Sequence, residues 1–445
     1  MLGEHQARSI LEGILFRSKA TEAEALLMAD DQSLTRFAGS EIHQSVSETD
    51  VELRIRVVLD KRIGTASTHN LSATAIDETL GAALAAAERV PADQRFAALP
   101  DPLPIEPVQA YAAATAECSP TYRAEQVAAI CRLAIDAQLD ASGAFSTGSS
   151  AIAVANSRGV FAYELRSGSD LKIVVTGDDS SGFAERTAMD VTTIDAEAAG
   201  REAIDIAIRS RGPVDLEPGQ YTVVLEEYAV SELLDYLSYV ALGGLAFVED
   251  RSLFAGRLGE QLFGTNVTIV DDPRASDTLA RSFDFEGVPT QTVTIVDAGV
   301  ARAVVHDAYS GTLAGTGSTG HGLPAPNTFG PFAGHLRLSP GTVDRTSLAH
   351  GIERGIWVRR FHYVNIADPK RAILTGMTRD GTFLIEHGEL SRPVRNLRFT
   401  QSVPDALSNV RAIASQTRTI ESWLGADVVP AVVIDGFTFT SATVG

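Results

Sequence analysis

Metal-assisted hydrolysis needs imidazole, thiolate or carboxylate groups that converge on one face of an element, and this chain offers three places to look. His306, His321, His335, His350 and His362 all lie in the C-terminal half. None pairs with another at i, i+4 on a predicted helix, and separations of 12 or more residues are those of scattered side chains, satisfied or exposed. Cys118 and Cys131 stand 13 apart in a helical neighbourhood, match no zinc signature and read as structural thiols. Glu226, Glu227 and Asp235 are carboxylates of a kind that hard cations accept, which leaves open whether they form an acidic pocket.

Other chemistries have weaker support. Gly315 to Gly320, GTGSTG, formally matches G-x-G-x-x-G, but no strand leads in and Pro324 and Pro326 forbid a following helix, so dinucleotide binding is not expected. Ala144 to Gly148, AFSTG, opens onto a strand rather than a helix, against the geometry of a nucleophile elbow. The acidic stretch Asp284 to Thr290, DFEGVPT, reads best as a tight turn whose carboxylates bind their own backbone.

The elements that would position these residues follow from periodicity. Tyr221 to Gly244, YTVVLEEYAVSELLDYLSYVALGG, alternates at Tyr221, Val223 and Leu225, turns at Glu226 and Glu227, and continues at helical spacing through Val230, Leu233, Leu234, Leu237, Val240 and Ala241. It predicts a strand feeding a buried helix. Upstream, residues 1–95 predict an α+β unit: a helix at 3–18, short strands at 23–29, 33–37 and 41–47, a long strand Val51 to Leu59, its return, and an Ala-rich helix from about Thr74 to Val90. Residues 96–120 are a Pro-rich linker. Residues 121–212 repeat the same order about 120 residues downstream. Residues 213–445 turn mainly to strand, with hairpin signals at Asp297-Ala298-Gly299, at His387-Gly388-Glu389 and at Asp435-Gly436. The fold class is α+β: a pseudo-duplicated N-terminal α/β half with antiparallel sheets and flanking helices, then a C-terminal mainly-β curved sheet or partly closed barrel.

Composition narrows the partners. A net charge of -20 over 445 residues argues against nucleic acid or an anionic membrane, since phosphate binding needs clustered Lys and Arg. The first residues lack the basic-then-apolar order of a signal peptide, and no apolar run approaches the roughly 20 residues needed to cross a bilayer. Two cysteines are too few for a disulfide framework. A cytoplasmic protein is expected.

The flanks of the helix at 227–241 resemble the signature region of the TldD/PmbA family of modulators of peptide maturation, whose catalytic members carry HExxxH on such a helix. Leu233 and Leu234 match the apolar places before that motif, and Leu242, Gly243 and Gly244 those after it. The ligand positions then fall on Asp235 and Val240 and the general-base position on Tyr236. Valine offers no lone pair, and a phenol with a pKa near about 10 is a poor base at neutral pH. The C-terminal cysteine that completes the zinc shell in catalytic relatives has no counterpart in SQTRTIESWLGADVVP. The resemblance, strongest to the PmbA (TldE) branch, implies a non-catalytic subunit with no cofactor of its own, zinc being expected only in a TldD-like partner. Partners so implied are that catalytic subunit or a second copy of this chain, and unfolded or small peptides. By the same resemblance the Gly-rich stretch Gly315 to Asn327 is a cleft loop with Gly315, Gly317, Gly320, His321 and Asn327 at the substrate, though its glycines and prolines read equally well as a structural Ω-loop; the strand before Glu226 is a second place for added-strand recognition. Two other readings stay open: an active peptidase with atypical ligands such as His321 or His335 with Asp235, and a stand-alone peptide-binding scaffold.

Overall fold

The computed structural model describes residues 2–442. Its N-terminal half is one six-stranded antiparallel sheet in the order β3-β2-β1-β4-β5-β6. The strands are β1 (Glu22–Ala38), β2 (Glu41–Leu59), β3 (Arg62–Thr68), β4 (Asp140–Asn156), β5 (Phe161–Thr176) and β6 (Ser181–Ala188). The order is symmetric about the β1–β4 pair, which runs from Glu24↔Asn156 to Phe37↔Gly143. The duplication is thus real, and it is joined through its two first strands. The short strands expected at 23–29, 33–37 and 41–47 are instead parts of β1 and β2. Polar residues at 30–33 interrupt the apolar alternation, while the β2 and β4 ladders carry the backbone straight through them. Beyond Leu53, β3 no longer covers β2, so Glu41 to Glu52 form a free sheet edge.

Helices α1 (Glu4–Arg17) and α2 (Ala73–Arg89) flank the first repeat, and α4 (Pro120–Asp136) and α5 (Ala196–Arg209) the second, with a single turn, α3 (Ala113–Ala116), between. Their starts are written in the sequence: Ser72, Ser119 and Asp195 each accept a first-turn backbone N–H at the N-cap. Both repeats also use glycine where the third strand meets the last helix. A Cβ on Gly64 would lie 2.1 Å from Ala83 O and one on Gly182 would lie 2.0 Å from Ala203 O. Ala87 and Ala207 complete the two contacts one helical turn on, so a matched Gly with Ala at i, i+4 is the packing signature of the repeat.

The C-terminal half is an 11-stranded sheet. Strands β7 (Gly219–Leu225), β12 (Arg354–Asp368), β13 (Ile373–Glu386), β15 (Leu397–Ser402) and β17 (Gly425–Ala442) close a ring, because β7 pairs with both β12 and β17. The remainder, β8 (Ile269–Asp271), β9 (Val293–Asp297), β10 (Val300–Ala301) and β11 (Leu336–Leu338), extends from β17; β14 (Glu389–Pro393) and β16 (Val410–Ser422) are side strands. This is the partly closed barrel the turn density predicts. Two of the three hairpins form at the expected places, β9–β10 and β13–β14. The third does not. Asp435-Gly436 lies inside β17 as a register irregularity between Ile434 and Phe437, because β7 binds the strand on both sides of it and holds its direction. The reversal comes earlier, at Trp423-Leu424, between β16 and β17.

Inside the sheet lies helix α6 (Glu227–Leu237), continued by a π-helical turn (Ser238–Leu242), with α7 (Gly244–Val248) and α8 (Ala308–Ala314) beside it. Val230, Leu233, Leu234, Leu237, Val240 and Ala241 are all buried in the largest apolar cluster. The strand-to-helix reading of 221–241 is correct in both parts.

Candidate functional site

Two polar cavities meet at the β16–β17 turn, sharing Glu421, Ser422 and Trp423 in their walls. The larger, about 490 Å³, lies against the outer side of α6 and is lined by Glu185, Glu232, Asp235, Tyr236 and Arg360 among others. The smaller, about 310 Å³, lies between β4, β5 and the segment at 279–281. Both are therefore walled by the second repeat and the C-terminal half together.

In the larger cavity the carboxylates crowd one another. Burial, and Glu232 beside it, push Asp235 up to about 8. Burial also raises Glu232 and Glu185, each to about 7. Asp427 lies wholly buried behind Asp235, accepts from Ser231 Oγ (3.0 Å) and Leu336 N (3.0 Å), and is raised by burial and by Asp235. Asp235 Oδ1 has no hydrogen-bond partner. Burial and like charge thus favour the neutral form at both Asp235 and Asp427.

A prediction follows for Asp235→Asn. A carboxyl whose folded pKa is raised binds more protons in the folded state, so it lowers stability progressively as pH rises from its unfolded value near about 4. At pH 4 the variant should match the parent; at pH 8.5 it should be more stable by on the order of 2 kcal/mol, discounted for the coupling of Asp235 to the neighbouring carboxyls. Thermal midpoints measured across that range check it, and a gain independent of pH would contradict it.

Among the described residues, Asp170, Glu185 and Glu421 bring ligand atoms within 4.8 Å of one another. Their charge is already answered from within the chain: Lys172 Nζ lies 2.5 Å from Glu421 and 3.5 Å from Asp170. Glu226 and Glu227 do not join Asp235. Glu226 accepts from Trp357 Nε1 (2.5 Å) and pairs with Arg359 (2.6 Å) and Arg345 (2.8 Å), and Glu227 pairs with Arg345 (2.7 Å). The acidic pocket considered from the sequence therefore divides into an arginine-neutralised pair, Glu226 and Glu227, and a separate buried carboxyl, Asp235, with no cation paired to it among the described residues.

The histidines divide too. His321 Nε2 and His335 N–H both meet Asp271, at 2.5 and 2.7 Å, while His306 Nδ1 contacts Ser310 Oγ at 3.2 Å. His321 and His335 are thus tied to Asp271 and not to Asp235.

Residues 23–87, 100–211 and 218–441 match, in order, the domain 1, central and C-terminal domain models of the PmbA/TldA metallopeptidases. The chain belongs to the TldD/PmbA family. Curated relatives include a metalloprotease of Methanothermobacter thermautotrophicus, 25% identical over 237 residues, covering 50% of this chain and 49% of the relative. A TldD homologue of Haemophilus influenzae is 25% identical, covering 49% and 45%, and a PmbA homologue of the same organism is 28% identical, covering 39% and 37%. The chain thus spans half or less of the length of these relatives in the matched regions. The fold is that of the crystal structure of TldE from Thermococcus kodakarensis, with a TM-score of 0.87 at 20% identity over 98% of this chain and 99% of that one. A putative modulator of a DNA gyrase from Thermotoga maritima gives 0.84 at 18% identity, over 94% and 96%.

At the TldD/PmbA motif helix two of the three signature positions are committed elsewhere: the Tyr236 hydroxyl donates to Val364 O (2.6 Å), and Val240 is buried in the π-helical turn. Asp235 is left as a single buried carboxyl whose Oδ1 has no hydrogen-bond partner. These residues do not fit a zinc ion: an aliphatic group, an engaged phenol and one carboxyl supply no tetrahedral donor set.

The loop residues do not form one wall. Gly315 and Gly317 are exposed, with positive φ and open space where a Cβ would be. Gly320 is buried with φ 74°, and a Cβ there would lie 2.2 Å from Pro289 O. His321 is fixed on Asp271, and Asn327 closes its own turn by accepting from Phe329 N and Gly330 N. Asn327 borders a third cavity, about 430 Å³, shared with Arg56 and Tyr309 of other segments. Asp284 behaves as the turn reading predicts, accepting from Glu286 N and Val288 N at 2.9 Å each. Strand β7 has neighbours on both edges, β12 and β17, so it has no edge left for an added peptide strand.

Sequence reasoning missed Trp423, Glu185 and Glu421. Trp423 had a readable signal, Trp423-Leu424-Gly425 as a short turn between two alternating runs. It packs edge-on against Tyr236 and Tyr239, at 5.2 Å each, and stacks near Phe332.

Proposed function

We propose that this chain is a non-catalytic subunit that works beside an HExxxH-bearing TldD-like peptidase on small or unfolded peptides in the cytoplasm, with zinc held by the partner. The observation that carries this reading is the set Asp235, Tyr236 and Val240: where a hydrolytic metal would be held and its water deprotonated, one side chain is aliphatic, one is a phenol engaged with the backbone, and a single carboxyl remains. The rim above it suits a partner or peptide. Tyr239, Trp423 and Leu424 are 43%, 48% and 39% exposed around the shared turn, an apolar patch of the kind that marks interaction sites. The free edge of β2 offers a second, sequence-tolerant way to pair with another chain. No helix among the described residues is long and apolar enough to cross a membrane.

The test is a peptidase assay with zinc present, on this chain alone, on an HExxxH relative alone, and on the two mixed, with co-elution followed by size exclusion. The expected result is no cleavage by this chain alone, co-elution of the two, and greater cleavage by the mixture than by the relative. Cleavage by the purified chain alone would overturn the non-catalytic reading; absence of co-elution would favour a stand-alone peptide-binding scaffold.

A further inference from the structure

The smaller cavity contains a cation with no counter-ion. Arg281 is 4% exposed, and among the described residues no carboxylate forms an ion pair with it and its Nε has no hydrogen-bond partner. Burying an uncompensated guanidinium costs several kcal/mol. Arg359, equally buried, pairs with two glutamates, and Arg123, which has no carboxylate either, at least donates to Cys118 O and Thr147 Oγ1. Asp271, Asp284 and Glu164 lie near enough to favour its charge, but none is at ion-pair distance: Asp271 is held by His321, Glu164 by Arg166 (2.6 Å), and Asp284 accepts from the N–H groups of Glu286, Val288 and Gly322. Arg166 lines the same cavity and opposes the charge.

The rest of the lining is polar and unfilled. Ser149 and Ser150 make no hydrogen bond through their hydroxyls within the chain. His335 Nε2 meets Leu279 O at 3.0 Å, which makes it the donor nitrogen and leaves Nδ1 as a buried acceptor without a donor. Burial and Arg281 push this histidine down to about 3, so the ring is neutral. Asp170 and Glu421 also border the cavity, partly neutralised by Lys172, and they would oppose a dianion.

We propose that this cavity is a carboxylate-binding subsite: Arg281 receives a free α-carboxylate through its planar fork, and the unengaged Ser149 and Ser150 hydroxyls are available to the amide N–H of the same terminal residue. The guanidinium matches a carboxylate bidentately, and a peptide C-terminus carries both the anion and the neighbouring donor, which inorganic phosphate and acetate lack. That the carboxylate belongs to a peptide rests on the function proposed above; that Arg281 binds one does not. Its place beside Trp423 puts the peptide terminus next to the apolar rim.

Calorimetric titration of the full chain with N-acetyl-Ala-Ala, with its C-terminal amide, with acetate and with inorganic phosphate separates the possibilities. The free acid should bind at least tenfold more tightly than the amide, and Arg281→Gln should abolish that preference while leaving the thermal midpoint equal or higher, since the variant removes an unpaired charge. Arg281→Lys should keep part of the preference. Acetate bound through Arg281 with no preference for the dipeptide acid would support the subsite and sink its peptide assignment. Equal binding of acid and amide without acetate binding, an unchanged preference in Arg281→Gln, or phosphate outcompeting the acid would overturn the proposal. None of these readouts depends on cleavage by a partner.

Discussion

Arg359→Leu should lower the unfolding free energy by about 3–5 kcal/mol, the usual cost of removing one member of a buried ion pair. Arg359 is 2% exposed. It reaches Glu226 (2.6 Å) at the head of α6 and Glu202 (2.5 Å) on α5, and its Nε donates to Phe183 O (2.8 Å) on β6. It therefore ties the second repeat to the barrel. Glu202 keeps Arg186 and Arg418 in the variant; Glu226, wholly buried, keeps Arg345 and Trp357 but loses its innermost cation. Burial is the largest influence on Glu226 and would raise its pKa, yet Arg359 and Arg345 together hold it below the usual carboxylate value. A lowered folded pKa gives stability that is present above about pH 4.5 and is lost as pH falls. Urea midpoints should show the Arg359→Leu deficit fully at pH 7 and shrinking toward pH 3. A deficit under about 1 kcal/mol would mean that the cluster is no more than a surface pair.

Asp271→Ala should cost about 3 kcal/mol, because two buried donors lose one acceptor. Asp271 is fully buried and receives His321 Nε2 and His335 N–H, so it fastens the end of the Gly-rich loop and the approach to β11 to the same strand. Asp271→Asn keeps one oxygen and should lie between. Burial would raise the Asp271 pKa, and His321 more than reverses that; the contribution is thus present above about pH 4 and lost in acid. The acid limb of the stability profile should flatten in Asp271→Asn, and an unchanged limb would remove Asp271 from the account.

How much of this was legible can be judged residue by residue. Helix starts at Ser72, Ser119 and Asp195 and the apolar spacing of α6 are local signals, and they were readable. The duplication was readable in element order, though not in the pairing of β1 with β4, which joins residues more than a hundred positions apart. Asp435-Gly436 misled because a turn dipeptide states a local preference only, and β7 bound on both sides overrides it. At the site, Asp235, Tyr236 and Val240 could be singled out as places where metal chemistry fails. Their actual employment could not, since Asp427, Val364 and the neighbours of the π-helical turn come from distant segments. Arg281 gave no sign in the sequence: its isolation is a property of what the fold leaves out of its surroundings.

The symmetric sheet has one more implication. Each repeat lends its first strand to the other, and Ala153 and Ala155 of β4 sit in the same apolar cluster as α1 and α2, while Phe37 of β1 sits with α4 and α5. Neither copy has a complete interior by itself. A backbone break in the segment between them would leave two fragments clasped by the β1–β4 ladder, so the two repeats are mutually dependent and not separable modules.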